Sequence, residues 1–140
     1  MSAAAILQKV PLFSQLSPPD LQRVVDVARE RAYPRNSVIL FEDDPGDALY
    51  VVAAGQVKVV LIGEDGREVI LSVMGEGEFF GEMALIDDSP RSADVVAEGE
   101  VLALTIDRSG FTKLLRAEPA LSQALLRTLA ARLRAAEATE

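Results

Sequence analysis

Residues 48–74 read ALYVVAAGQVKVVLIGEDGREVILSVM. Three short runs, Ala48–Ala53, Gln56–Ile62 and Glu68–Met74, are crowded with Val, Ile and Leu, the residues that fit a pleated sheet. Gly55 breaks the first run from the second. GEDG at 63–66 joins the second to the third as a hairpin loop of about four residues, with Gly66 free to take a positive φ. The pattern continues outward. Ser37–Phe41 precedes it, and Ala93–Ala97 and Val101–Asp107 follow, with turn signals at DDPGD 43–47, GEGE 75–78 and EGE 98–100. Strands so regularly spaced, without helices between them, predict an antiparallel sandwich, barrel or jelly roll rather than βαβ units.

Helical signals flank this core. Residues 3–10 (AAAILQKV) read as a short helix. Ser17 then reads as an N-cap, Pro18 as the first helical residue and Asp20 as a first-turn acid. Leu21, Val24, Val25 and Ala28 form one apolar stripe. After the strands, Phe111, Leu114 and Leu115 mark a short helix that halts near Pro119. A longer one runs from about Pro119 to Ala138. On it Leu126, Leu129, Leu133 and Ala136 make a short a/d seam suited to a dimer, while Leu121 and Leu125 lie on a neighbouring face that can pack on the sheet. The expected architecture is mainly β with flanking helices. Residues 1–140 form one domain, with N-terminal helices over 3–28, a β-roll over about 31–107 and C-terminal helices over about 108–138.

Composition excludes many chemistries. The chain has 140 residues, 49% of them hydrophobic and 26% charged, the balance of a folded domain that needs no cross-links. It contains no Cys and no His. Disulfides, thiol nucleophiles, Cys- or His-ligated metals and the Ser-His-Asp triad are therefore unavailable. No metal is expected. A jelly-roll enzyme of the metal-dependent kind would need His ligands, so a non-catalytic role is the reading. A net charge of −8 with no segregated basic patch argues against nucleic-acid binding by this chain alone. The amino terminus is too short in apolar residues for a signal peptide or a membrane span, so no membrane partner is expected and the cytoplasm is the default compartment.

The segment 75–97, GEGEFFGEMALIDDSPRSADVVA, interrupts the strands. Gly81-Glu82-Met83-Ala84-Leu85 reads as a helical turn entered through glycine, an arrangement suited to an anion. Arg91 offers a guanidinium fork for two phosphate oxygens, and Ser92 adds a hydroxyl. Glu82 suits the same ligand only if the ligand carries donors such as sugar hydroxyls. Phosphate plus ribose is the simplest ligand with both. On chemistry alone, a Glu and an Arg so placed are more often a surface ion pair worth under about 1 kcal/mol. Gly75, Gly77 and Gly81 do not have dinucleotide-fingerprint spacing and lack a βαβ unit. Phe79 and Phe80 read as buried anchors, Tyr33 and Tyr50 as strand core, and Arg127 and Arg134 as a solvated helix face. The acidic turn 42–47 lacks EF-hand spacing and reads as solvated, as does the Asp87–Asp88 pair.

FGEMALIDDSPRSADVVA resembles the phosphate-binding cassette of cyclic nucleotide-binding domains, F-G-E-[LM]-[AS]-L followed by P-R-[ASTC]-A-x-V. PLFSQLSPPDLQRV resembles the opening helices of that family, and PGDALYVVAAGQVKVV resembles its G-D-x-[LM]-Y-[VI]-[VI]-x-x-G-x-V run. The resemblance is strongest to bacterial CRP/FNR regulators and covers the whole chain. It implies an eight-stranded jelly roll. It also implies that Glu82 accepts the ribose 2′-hydroxyl, that Arg91 and Ser92 bind the cyclic phosphate, and that backbone N–H groups near Gly81, Glu82, Met83 and Ala84 assist. Val59 and Leu71 would wall the base, and Arg132 would stand near the cassette Glu. The implied ligand is cyclic AMP, with cyclic GMP as the alternative, because hydroxyl residues that contact adenine in the family align with Ala136 and Glu137. The resemblance further implies a homodimer, and DNA contact only through a helix-turn-helix domain beyond Glu140. The alternatives are a regulatory domain of a channel or kinase, or a ligand-free dimerisation module.

Overall fold

The computed structural model describes residues 2–42, 47–87 and 93–138, with the backbone alone at residues 84, 87 and 138. Two helices, α1 (Ala3–Gln8) and α2 (Pro18–Val27), lead into β1 (Ala28–Tyr33) and β2 (Val38–Leu40). Strands β3 (Ala48–Ala54), β4 (Val57–Ile62), β5 (Glu68–Met74) and β6 (Phe79–Phe80) follow, then the short helix α3 (Glu82–Asp87). Strands β7 (Asp94–Ala97) and β8 (Val101–Asp107) precede α4 (Arg108–Ala117) and α5 (Pro119–Ala138). The described strands form two four-stranded antiparallel sheets, ordered β1-β8-β3-β6 and β2-β7-β4-β5, a jelly roll.

Strands β3 and β8 explain why their sequences are apolar without strict alternation. Both are flanked by partners, and both faces are covered. Leu49 and Val51 of β3, with Leu104 and Ile106 of β8, face the helices and pack with Leu7, Phe13, Val24, Phe111 and Leu121. Tyr50 and Val52, on the opposite face, join Val57, Phe80, Val95 and Ala97 inside the roll. The two Phe residues divide the same way: Phe79 joins the helical layer, while Phe80 stacks on Tyr50 with ring centroids 5.0 Å apart. Both are buried, as expected of anchors. Tyr50 is buried as predicted, and Tyr33 is half-buried at the margin of the roll.

Two strands escape sequence reading, one because it is largely polar and one because it is only two residues long. Strand β1 (ARERAY) starts at Ala28, before the change of period at Arg31, and ends the apolar stripe of α2 one residue early. It pairs with β8 through six registered positions, from Ala28↔Ile106 to Tyr33↔Val101. It is an edge strand, where charged side chains are the norm. Strand β6 is only the two residues Phe79–Phe80. The first helix is also shorter than 3–10, ending at Gln8. Elsewhere local signals hold. Ser17 caps α2 through the Asp20 N–H at 3.4 Å, Gly66 takes φ +81° in the β4–β5 loop, and α4 and α5 meet at Glu118–Pro119.

Gly55, between β3 and β4, has φ +91°, and a Cβ there would collide with the carbonyl oxygen of Glu100. Because the obstacle is backbone, Gly55→Ala is expected to cost about 2 kcal/mol or more, the left-handed penalty plus a shift of the β7–β8 turn. Urea unfolding checks this. A midpoint equal to that of the parent chain would mean that the turn relaxes freely.

Candidate ligand-binding site

The cassette begins where β6 ends. Gly81 (φ +90°) turns the chain from the strand into α3, which puts Glu82 in the first turn with only 6% of its surface exposed. A carboxylate so buried needs partners. Arg132, on the distal half of α5, supplies one: its Nη1 donates to Glu82 Oε1 at 2.8 Å. Its Nη2 donates to the Phe79 carbonyl at 2.8 Å, and the guanidinium lies 4.2 Å from the centroid of the Phe79 ring. One side chain therefore holds Phe79 of β6 and the first acid of the cassette together, and joins both to α5. A carboxylate has about four acceptor positions, so Arg132 leaves capacity on Glu82 for a hydroxyl donor.

The remaining expected site residues are spread as follows. Met83 is 63% exposed, and only the backbone of Ala84 is described, within α3. Arg91 and Ser92 lie outside the described residues, as do Asp88 and the acidic turn residues 43–46. Val59 is half-buried at the edge of the roll core and pairs with Ser72. The register then jumps from Val59↔Ser72 to Val60↔Ile70, leaving Leu71 as the extra residue of a bulge, 54% exposed. A bulge re-aims the side chain it carries, so Val59 and Leu71 mark one stretch of the β4–β5 ribbon.

The a/d seam of α5 divides. Leu126 and Leu133 are exposed at 67% and 62%, and Ala136 is exposed. Leu129 is half-buried and packs against the core cluster that also takes Leu121 and Leu125. Arg127 and Arg134 are exposed, as a solvated face requires.

Sequence reading placed Arg132 near Glu82 only by resemblance, and it missed the Phe79 carbonyl and ring as anchors for Arg132. These partners are separated by 50 or more residues, and no local pattern signals a carbonyl acceptor. Among the described residues, no group of three or more acidic or metal-ligating side chains could hold a metal ion, and no helix is long and apolar enough to cross a membrane.

A jelly roll, a glycine-entered turn and a buried acid tied to α5 together give a domain with an enclosed acidic group at the start of a short helix, the setting of a small-ligand-binding domain. Residues 30–118 match the cyclic nucleotide-binding domain family, and the chain belongs to it. It is 33% identical over 129 residues to the CRP-like cAMP-activated global transcriptional regulator of Mycobacterium tuberculosis, covering 92% of this chain and 58% of that protein. It is 37% identical over 127 residues to the cyclic AMP receptor protein of Thermus thermophilus, covering 91% and 59%. The chain thus spans somewhat under three fifths of the length of these relatives. The crystal structure of the Thermus thermophilus catabolite activator protein superposes with a TM-score of 0.83 at 36% identity, over 92% of this chain and 61% of that one. The N-terminal domain of a transcriptional regulator from Streptomyces coelicolor gives a TM-score of 0.76 at 36% identity, over 96% and 94%.

Proposed function

We propose that residues 1–140 form a non-catalytic sensor domain that binds a cyclic mononucleotide, with cyclic AMP as the preferred ligand, cyclic GMP as the alternative, and no metal. The observation that carries this reading is the buried Glu82–Arg132 pair, which links the cassette to α5 at 2.8 Å. In this reading Arg91 and Ser92 take the cyclic phosphate. The free acceptor positions of Glu82 take the ribose 2′-hydroxyl, with N–H groups from Gly81 to Ala84 nearby. Val59 and Leu71 stand beside the base. Occupancy is relayed through α5, whose exposed Leu126, Leu133 and Ala136, with Leu129, form a homodimer seam. The domain then serves as the regulatory half of a CRP/FNR-type transcription regulator. DNA would be bound by a helix-turn-helix domain outside this chain, which implies a cytoplasmic protein.

Calorimetry with cyclic AMP, cyclic GMP and the linear monophosphates tests the ligand class. A 2′-deoxy cyclic nucleotide is expected to bind roughly tenfold more weakly than its ribo counterpart, the worth of one charge-assisted hydrogen bond of about 1.5 kcal/mol. Glu82→Gln should erase most of that difference, because a neutral amide oxygen is a weaker acceptor. Equal affinity of the unaltered chain for both sugars would remove Glu82 from the ribose site.

A further inference from the structure

Glu118 sits where α4 ends and α5 begins. Its backbone serves both helices: its N–H donates to the Leu114 carbonyl at 2.9 Å, and its carbonyl accepts from Leu121 at 3.0 Å and from Ser122 at 3.3 Å. Its side chain does something different. It reaches across to α2, where Arg23 Nη1 donates to its Oε1 at 3.1 Å, from 95 residues earlier in the chain. The Glu118 side chain is 8% exposed, whereas Arg23 is 60% exposed, so the cation is mostly in water and the acid is mostly not. Asp20, one helical turn before Arg23 on α2, is a second acid whose influence raises the Glu118 carboxyl. Among the described residues this is the one ion pair that ties the N-terminal helices to the root of α5.

We propose that Glu118, Asp20 and Arg23 form a proton-operated brace between α2 and the root of α5. One largely solvated guanidinium, that of Arg23, pairs with the buried Glu118 carboxyl, and Asp20 adds a second negative charge on the same helix as Arg23. With a proton, Glu118 is neutral and no net charge is buried. Without it, two anions face each other and Arg23 offsets them only in part. Burial pushes the Glu118 carboxyl above its ordinary value, Asp20 pushes it further, and Arg23 opposes both. No other cation pairs with it: Lys113 and Arg116 of α4 and Arg127 of α5 are exposed and form no ion pair with Glu118 among the described residues. Since the closed junction holds the proton more tightly than an opened one, closure is favoured at low pH and weakens as pH rises through the raised value. Acidification therefore tightens the seat of α5, the helix that carries Arg132 to the cassette. The brace does not depend on what the cassette binds.

Amide exchange on the whole chain, corrected for intrinsic rates, tests this at Leu121 and Ser122, whose N–H groups bond to Glu118. Between the ordinary and the raised value, their opening constant should climb by up to about tenfold per pH unit, one proton's worth, while amides of β4 do not follow. Glu118→Gln, permanently neutral, should flatten the profile. Asp20→Asn should move the midpoint down, and Arg23→Gln should move it up. A flat profile in the parent chain overturns the brace. So does a profile that survives Glu118→Gln, or a midpoint that ignores both charge-changing variants.

Discussion

Arg91→Ala is expected to weaken cyclic-nucleotide binding by roughly 30-fold or more. Removing one member of a desolvated charge pair costs about 2–5 kcal/mol, because the other charge is left unmet, and each 1.4 kcal/mol is about tenfold in affinity. The cassette offers little to take over. Arg132 is already committed to Glu82 and to the Phe79 carbonyl, each at 2.8 Å. The chain's net charge of −8 supplies no general attraction for a phosphate. Arg91→Lys should restore binding only partly, since a point charge cannot span two phosphate oxygens. Calorimetry with cyclic AMP measures both variants. Unchanged affinity in Arg91→Ala would show that the phosphate is held elsewhere.

Arg132→Ala is expected to destabilise the fold by about 3 kcal/mol, the lower end of the range for breaking a buried ion pair. Three interactions vanish together: the partner of a carboxylate only 6% exposed, the donor to the Phe79 carbonyl, and the cation over the Phe79 ring. The lower end applies because the Arg132 side chain keeps 32% of its surface in water, so part of its charge was never desolvated. Arg134→Ala, two residues on and exposed, should stay within about 0.5 kcal/mol. Denaturant unfolding gives both numbers, and amide exchange over residues 129–136 shows whether the end of α5 has come loose. An Arg132→Ala chain as stable as its parent, with those amides equally protected, would mean that the pair holds nothing together.

The two variants probe different kinds of knowledge. The role proposed for Arg91, which lies outside the described residues, rests on resemblance to the family cassette, whereas the helical turn entered through Gly81 is a local object that the structure contains. The same holds for the hairpin at Gly66, the cap at Ser17 and the start of α5 at Pro119. Backbone preference and hydrogen bonds to near neighbours set each of these, and both can be read along the chain. The apolar runs of β3 and β8 also announced themselves, since strands covered on both faces need little else.

Strand β1 was illegible for the opposite reason. ARERAY has no apolar face of its own and becomes a strand only because β8 lies alongside with unpaired backbone groups. Likewise nothing near Leu71 in sequence reveals the bulge on which it sits, since the bulge is a mismatch of register with β4. Leu129 and Leu126 look equivalent on a helical wheel, and only the docking of α5 against the core separates the half-buried one from the exposed one. The Glu82–Arg132 and Arg23–Glu118 pairs cross 50 and 95 residues. Order along the chain dictates what each segment can form. Which segments meet depends on closing long loops against entropy, a cost met by the two cores together and by no short stretch alone.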